Sequence, residues 1–456
     1  MSHAGTNRLP LARPARLRRG AGGGPGVAGL LLPGLVVVVG AGLAAAASWA
    51  TVPVLGGLAA LGCLAFFGAR PQWALILFVA TIPLEYEFRL GASPSLTITK
   101  LAGGLCFAAF AIYAVRQRRP LFLDSSHLLI VGLLLLALAS TALSQSVSEG
   151  TTTTLRYVSW ALLYFVLTQF PGDRALLRRL VWALVLSSGA AGAIGSYNFL
   201  AGLTQLADLR YGQQNDYAFV LAAVLPIGAW LVLNQTGWRR IVALVSAGLI
   251  AAGIVLSVSR GAWLAVVASF VLYAAANRQH ASRIVGLALV AAVVTSLFVY
   301  ANPGRVSQGV QAKQVVAQEN VDSRLALYQG ALGLTVRHPL LGVGPGNFGN
   351  YYYQITGAPP GTPPLLVVHD TYLEVAAELG VPGFIFFMTF LAMCLLRLNG
   401  AVRSGAGPPG LAGFVRASFI AVLVGFLTLS EEFFAPVWLL GGLATILWVE
   451  SCESST

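Results

Sequence analysis

Charged residues are scarce in this chain. Only 10% of its 456 residues are Asp, Glu, Lys or Arg, whereas 57% are hydrophobic. An ordinary soluble domain is about a quarter charged, so this composition is not typical of a water-soluble protein. Glycine and proline are scattered rather than clustered, which argues against low-complexity disorder. The composition indicates a polytopic membrane protein.

Cysteine patterns are also missing. The four cysteines, Cys63, Cys106, Cys394 and Cys452, form no CxxC pair and have no metal-ligand spacing, and three of them lie in apolar stretches. We interpret them as small buried hydrophobic residues. A disulfide framework is not expected, and the sequence predicts neither a metal site nor a cofactor.

Long apolar stretches predict the fold. A spanning helix needs about 20 mostly apolar residues. The first such stretch follows a basic N-terminal tail and is longer than the core of a typical signal peptide, which favours a retained first span. We predict spans near 27–48, 53–69, 72–85, 97–115, 127–144, 154–170, 179–200, 217–234, 240–258, 261–276, 284–301, 379–397, 410–429 and 434–449. The segment 72–85 is short, so the expectation is an all-α transmembrane bundle of about 12–14 spans.

Lys and Arg are distributed unevenly over the predicted loops. If successive spans alternate in direction, one face holds 19 of the 28 Lys and Arg but only four of the 16 Asp and Glu. The positive-inside rule makes this the cytoplasmic face and places both termini inside. The net charge of +12 reflects this bias, and no nucleic-acid partner is expected.

The same reading predicts the organisation of the chain. It expects a cytoplasmic basic tail at 1–26 and transmembrane helices with short loops at 27–301. A large, partly helical loop at 302–378 would lie outside and carry the catalytic region. Further transmembrane helices and a short cytoplasmic tail would occupy 379–456. In a Gram-negative cell the outer side is the periplasm, and the protein would lie in the inner membrane among its lipids.

Nine basic residues remain on the outer face, where the positive-inside rule disfavours them. They are Arg89, Lys100, Arg156, Arg210, Arg260, Arg305, Lys313, Arg324 and Arg337.

Two of these arginines have suggestive surroundings. Arg260 lies in a very short turn between two apolar runs, at or just above membrane depth, where ionisable residues are costly and often functional. The alternative is an interfacial arginine that reaches lipid headgroups. Arg210 precedes Asn215 and Asp216, which we expect to cap the next span, so it would complete an anion site at a helix N-terminus. The alternative is a loop arginine paired with Asp208.

Two further arginines complete the candidate set. Arg324 lies in an amphipathic stretch of the large loop, and its alternative interpretation is a solvated surface residue. Arg156 lies near the outer end of its span. Several arginines around one outward-facing cavity would suit a lipid-borne pyrophosphate, which needs cationic groups to hold it.

The segment HDTYLEVAAELGVPG (369–383) joins polar to apolar sequence. If it is helical, His369, Gly380 and Gly383 lie within about 40° of one face. Glycines on that face would allow another helix to approach closely beneath the histidine. The alternative is that His369 is an ordinary residue at a helix N-terminus.

Three segments, SRGAWL, HPLLGVGPGNF and HDTYLEVAAELGVPG, occur in this order on a chain with one large outside loop. Together they resemble the O-antigen ligase/polymerase superfamily. Ligases of that family carry an R-x3-L element, matched here from Arg260 on, and an H-x10-G element, matched by His369 and Gly380. The longer form, His, a small polar residue, nine residues and G-x-x-G, is matched with Asp370 and Gly383.

The resemblance implies glycosyl transfer at the periplasmic face. The donor would be an undecaprenyl-pyrophosphate-linked glycan, and the acceptor of a ligase is the lipid A–core oligosaccharide. The family is regarded as metal-independent, and the sequence contains no DxD motif. The pyrophosphate would then need cationic side chains, a role that fits Arg210, Arg260 and Arg324.

Histidine chemistry completes the hypothesis. A neutral imidazole can take the proton of a sugar hydroxyl as that hydroxyl attacks, so we assign His369 as general base, and direct attack on C1 would invert the anomeric centre. Asp370 or Glu374 would orient the imidazole. His338 is the rival base, although the Pro and Gly residues around it favour a structured turn.

Other functions stay open at this point. Within the superfamily, an O-antigen polymerase or a protein O-oligosaccharyltransferase has a different acceptor. A transporter of lipid-linked glycans would predict internal repeats and charged residues near the bilayer midplane. The sequence shows no repeat and its candidate residues group on the outer side, which favours an enzyme.

Overall fold

The computed structural model describes residues 62–85, 87–88, 97–118, 120–210, 214–279, 281–283, 320–357, 367–430 and 434–454, and a few residues between 286 and 311. The chain divides into two units, Met1–Ala65 and Phe66–Thr456, and the elements below belong to the second. Its helices are α1 (Pro71–Thr81), α2 (Ile98–Gln117), α3 (Ser125–Ala142), α4 (Val147–Thr168), α5 (Arg174–Leu200), α6 (Gln214–Asn234), α7 (Gly237–Leu256), α8 (Arg260–Ala276), α9 (Asn320–Arg337), α10 (Tyr352–Thr356), α11 (Thr371–Ser404), α12 (Leu411–Gly425) and α13 (Ala435–Ser454).

Seven of the described helices, α2, α3, α5, α6, α7, α11 and α13, are long and apolar enough to cross a membrane. The number rises to eight if the helices Gly62–Ala69 and Pro71–Leu84, which meet at a bend of 106°, count as one span. The described residues contain no β-strand, so the predicted all-α transmembrane bundle is confirmed. The predicted span 27–48, the first half of 53–69 and most of 284–301 lie outside the described residues, and the total of about 12–14 spans stays a prediction.

Polar N-caps begin several of these helices. The side chains of Thr97, Asp124, Ser146, Asp173 and Asp370 each accept a hydrogen bond from a backbone N–H in the first turn of the helix that follows. Each cap directly precedes an apolar or amphipathic run. Such caps satisfy amide groups that have no partner inside the helix, so the sequence marks where these helices start.

Segments predicted to share the basic face meet at one end of the bundle. Arg174 forms an ion pair with Glu450 at the end of α13. Next to it, the Gln72 amide donates to the Asp173 carboxylate at 2.9 Å. These contacts group the predicted inner loops at one end, here called the basic end. Which compartment the basic end faces stays a prediction.

A buried ionic network lies at the basic end. The Arg397 guanidinium donates to Asp124 at 2.5 Å, to Thr445 at 2.8 Å and to Tyr164 at 3.3 Å. It also lies 4.7 Å from the ring centroid of Trp448. A buried charge is tolerated when its hydrogen bonds are satisfied in this way. The network therefore joins α3, α4, α11 and α13.

Helix α9 packs through one apolar face. Leu327 and Leu334 of this face are buried with Val343 and Phe348 of the following loop and with Ala377 of α11. The amphipathic stretch expected around Arg324 is thus a helix, held against the start of α11. This packing sets the position of the candidate site.

Candidate active site

His369 has an unusual backbone conformation. Its φ is 63°, in the left-handed region that residues other than glycine seldom adopt. Its backbone N–H donates to Ser430 Oγ at 2.9 Å, and its backbone carbonyl accepts from the Tyr328 hydroxyl at 3.5 Å. Side chains from two other segments thus hold a strained backbone, a feature that concentrates at functional sites.

The expected helical face is wrong. His369 precedes α11, because Asp370 is the N-cap and its Oδ1 accepts from Leu373 N at 2.9 Å. Gly380 then interrupts the helix with φ 68° and ψ −175°. His369, Gly380 and Gly383 therefore do not lie on one helical face.

Glycine is needed at position 380 for a different structural reason. A Cβ at this position would lie 2.8 Å from Pro339 O and from the carbonyl carbon of Leu340. Just beyond it, Val381 N donates to Pro339 O at 2.8 Å. Both the close approach and the positive φ require glycine here. In this chain, the glycine of the H-x10-G pattern is where the loop after α9 contacts α11.

Glu378 fixes that loop, and the sequence interpretation missed it. This residue is 2% exposed. Its carboxylate accepts from Gly346 N at 2.7 Å and from Phe348 N at 3.2 Å, and its carbonyl accepts from Gly344 N at 3.0 Å. The available signal was a carboxylate within an apolar stretch of a chain that also carries a glycine-rich turn.

His338 lies at the start of this loop, directly after α9, and is exposed. Its backbone N–H donates to Leu334 O at 2.8 Å, and its backbone carbonyl accepts from Gly342 N at 2.9 Å. Its ring centroid is 6.2 Å from that of Tyr351. These contacts agree with the interpretation of the segment as a structured turn.

Arg324 and Tyr328 of α9 adjoin His369. Burial, and then the positive charge of Arg324, lower the pKa of His369 to about 4. The Arg324 guanidinium donates a hydrogen bond to the Tyr328 side chain, while its Nε is buried without a hydrogen-bond partner among the described residues. At neutral pH the imidazole is therefore uncharged beside a cation with an unused donor.

Arg260 is the first residue of α8 and is exposed. A Cβ on its neighbour Gly261 would come within 2.2 Å of Thr428 Oγ1, so the start of α8 packs directly on this segment. Two residues further on, Ser430 accepts the hydrogen bond from the backbone of His369. The structure thus brings Arg260 to the segment that holds the candidate base.

Arg210 lies in the loop before α6 and is exposed, and its N–H donates to Glu87 Oε2 at 2.9 Å. Helix α6 begins before Asn215 and Asp216, so both lie in its first turn and neither is its N-cap. The Asn215 Oδ1 accepts from Ser259 Oγ at 3.1 Å. This bond joins the start of α6 to the start of α8.

Arg156 belongs to a different group. It acts with Lys100 on Glu85, whose pKa burial raises while these two positive charges oppose the rise. The structure places Arg156 beside this buried carboxyl group and shows no contact that joins it to His369 in the described part of the chain.

The two candidate carboxylates near His369 differ in their surroundings. Asp370 caps α11 through the amides of its first turn, and burial raises the pKa of this carboxyl group above its usual value. Glu374 is 3% exposed in the first turn of α11. The structure assigns Asp370 a capping role, and the orientation of the imidazole by either residue stays a prediction.

The family comparison covers this part of the chain. A family model described as O-Antigen ligase matches residues 245–388, a range that contains Arg260, Arg324, His338, His369 and Gly380. No curated protein matches the chain. Among the described residues, no group of three or more His, Cys, Asp or Glu side chains is placed to hold a metal ion. Together with the apolar helices, the match supports membership of the chain in the O-antigen ligase/polymerase superfamily.

Proposed function

We propose that the chain is an O-antigen ligase. It transfers a glycan from undecaprenyl pyrophosphate to a sugar hydroxyl of the lipid A–core oligosaccharide at the periplasmic face of the inner membrane. The observation that carries the proposal is the pairing, inside the matched region, of a half-buried neutral histidine with Arg324. A base that removes a hydroxyl proton and a cation that holds a pyrophosphate are the two groups that this reaction needs.

The chemical step follows from these groups. The acceptor hydroxyl gives its proton to an imidazole nitrogen of His369 while its oxygen forms a bond to C1 of the donor sugar. The bond from C1 to the pyrophosphate oxygen breaks, and its electron pair leaves with the pyrophosphate. Attack opposite the leaving group inverts the anomeric centre. The imidazolium then releases its proton to solvent.

The charge beside His369 changes when the donor binds. In the protein without donor its charge helps to lower the pKa of His369 to about 4, which keeps the imidazole neutral but weakly basic. A bound pyrophosphate brings negative charge beside both residues. That charge favours the imidazolium and raises the pKa of His369 toward the working pH, where a general base is most effective.

Arg260 and Arg210 would extend the cationic surface. Arg260 lies at the N-terminus of α8, where the first backbone amides of the helix also attract an anion. Arg210 lies in the loop before α6, and the start of α6 is joined to the start of α8 by the hydrogen bond between Asn215 and Ser259. In this proposal, Arg260 and Arg324 hold the pyrophosphate, and Arg210 adds positive charge at its edge.

The expected position of the site, close to the membrane surface, suits a lipid-borne donor. The prenyl tail keeps the reactive C1 close to the headgroups. His369 lies two residues before the long apolar helix α11, which would place the base at the same level. The loop after α9, held by Glu378, would cover it.

Deleting the gene and analysing the cell's glycans tests the proposal. We expect lipid A–core without attached glycan, together with long lipid-linked polymer. Glycan shortened to a single repeat unit would identify a polymerase and contradict the ligase assignment. Restoration of the normal profile by the intact gene, but not by its His369→Ala form, would link the reaction to this site.

A further inference from the structure

A polar cavity that the mechanism above does not use lies beside the start of α6. Its volume is about 400 Å³. Five of its six lining residues carry side chains that are able to donate or accept hydrogen bonds. The lining residues are Thr204, Gln205, Leu206, Asp208, Gln214 and Asn215.

The wall of the cavity is held in place by its neighbours. The loop between α5 and α6 is fixed to α5, because Leu203 N donates to Asn198 O at 2.8 Å and the Asn198 side chain donates to Asp208 O at 3.0 Å. It is fixed to α7, because Ala207 N donates to Leu256 O at 3.1 Å. A cavity formed in this way needs little ordering when a ligand binds.

The cavity adjoins the proposed pyrophosphate site. Asn215 lines the cavity and accepts a hydrogen bond from Ser259, the residue directly before Arg260. A group bonded to a pyrophosphate at Arg260, or a group that attacks there, would therefore come close to this wall.

The chemistry of the lining excludes several ligands. Asp216 and Glu87 place negative charge close to Asp208, which disfavours a phosphate. The polar side chains disfavour a lipid tail. Carboxyl and amide groups bind hydroxyl groups well, because they donate or accept several hydrogen bonds each. A pocket of about 300 Å³ or more holds a small molecule such as a sugar ring.

We propose that this cavity binds one sugar ring of the reacting saccharides, through hydrogen bonds from its hydroxyl groups to Asp208 and Gln205. The proposal rests on the proposed function and extends it to a saccharide subsite. Burial raises the pKa of Asp208 to about 7, with smaller contributions from Asp216 and Glu87. Near neutral pH the carboxyl group is therefore able both to accept from hydroxyls and, when protonated, to donate to them.

Two soluble probes identify which saccharide binds. One is the core oligosaccharide freed of lipid A, and the other is the donor glycan freed of its pyrophosphate. Each is titrated against the full-length protein in detergent by saturation-transfer-difference NMR. We expect Asp208→Ala and Gln205→Ala to weaken binding of one probe about tenfold, which is the usual effect of losing one good hydrogen bond.

The matched control is Leu203→Ala, on the same loop but outside the cavity lining, which should bind both probes like the unaltered protein. Loss confined to the core oligosaccharide would assign an acceptor subsite, and loss confined to the released glycan would assign a donor subsite. Binding of both probes that neither cavity variant changes would overturn the proposal. So would the absence of binding to the unaltered protein. Because Gln205 is exposed, its variant keeps the test decisive if Asp208→Ala fails to fold.

A kinetic measurement separates this proposal from the proposed function. The probe titrations require no turnover, so they stand even if gene deletion reveals a polymerase. If the protein transfers glycan, Asp208→Asn should raise the KM of one saccharide and leave kcat unchanged, as expected for a residue that only binds. A fall in kcat at unchanged KM would contradict a binding subsite.

Discussion

Arginine side chains at the two ends of the bundle differ in how completely their hydrogen bonds are satisfied. At the basic end, Arg397 is 5% exposed and donates to Asp124 and three hydroxyl groups. At the other end, Arg324 has a buried Nε without a described partner, and His369 has a strained backbone beside it. A satisfied network indicates a structural role, whereas unused donors and strain indicate a place for a ligand.

The pKa values show the same contrast. Burial alone would raise the pKa of Asp124, but hydrogen bonds from His127 and Ser126 and the charge of Arg397 hold it well below its usual range. The charged pair is thus stable in itself. Arg324 instead stands beside a neutral imidazole and lowers its pKa, so the negative charge that would balance this cation has to come from elsewhere.

The largest expected difference between the two ends is that they lie on opposite sides of the membrane. In a background without the native cysteines, Gln354→Cys of α10 should react fully with an impermeant thiol reagent in intact spheroplasts. Gln117→Cys at the end of α2 should react only after the membrane is opened, because α10 is predicted to be periplasmic and the end of α2 cytoplasmic. Both residues are exposed. Labelling of position 117 from outside would reverse the orientation and the site assignment with it.

Replacing the candidate base should have the largest effect on rate. We expect His369→Ala to lower kcat by about 10²–10⁴, the usual cost of removing a general base, with donor affinity retained. His338→Ala, the rival variant, should lose less activity, and any loss should accompany a lower melting temperature because the variant removes the ring that packs beside Tyr351. A folded, inactive His338→Ala beside a normally active His369→Ala would make His338 the base.

The network at the basic end should affect stability instead. Arg397→Met leaves the partly buried Asp124 carboxylate without its cation, and the loss of one partner of a buried ion pair costs up to about 3–5 kcal/mol. The free energy of unfolding in detergent should fall by this amount, while kcat per folded molecule stays the same. Adding Asp124→Asn should recover part of the loss. Arg403→Met, at the exposed end of α11, is the matched control and should leave stability unchanged.

Arg260 tests whether the cation at the start of α8 acts in the reaction. We expect Arg260→Ala to lower kcat by about 10²–10³, the usual effect of removing one charged donor from a transition state. Arg260→Lys should recover activity only in part, because lysine lacks the paired donors of a guanidinium. Arg337→Ala, an exposed arginine at the end of α9, serves as control. Full activity of Arg260→Ala would show that this arginine takes no part in the reaction and is only an interfacial residue.

Local patterns were enough to predict many helices. The predicted spans 127–144, 217–234 and 240–258 agree with α3, α6 and α7 to within three residues at each end. Long apolar runs require helices in lipid, and a polar cap such as Asp124 marks where one begins. Arg324 and His369 were also predicted to belong to one site, although no sequence pattern indicated that the charge of Arg324 would act on His369.

Contacts between distant segments explain what the sequence did not reveal. The break at Gly380 and the burial of Glu378 both depend on a loop that lies about 30 to 40 residues earlier in the chain. The left-handed backbone of His369 depends on Ser430, 61 residues later. Because periodicity describes only neighbours along one helix, it placed His369 and Gly380 on a common face that does not exist.

The smallest expected effect is a pH shift that links the two residues of the candidate site. His369 acts as a base only when neutral, so kcat/KM should fall as the pH drops through the pKa of about 4 in the protein without donor. A bound pyrophosphate favours the imidazolium, so the fall in kcat should lie at higher pH than the fall in kcat/KM. Arg324→Gln removes a positive charge that lowers this pKa, and should move the fall in kcat/KM to higher pH. Neutral His369 also stabilises the folded protein above the unfolded pKa of about 6.5, a contribution that is lost as the pH falls toward 4. Rate profiles between about pH 3 and 8 for the unaltered protein and Arg324→Gln check these shifts in kcat and kcat/KM. Profiles that coincide would show that Arg324 does not set the charge of His369, and the contrast between the two ends would lose its electrostatic basis.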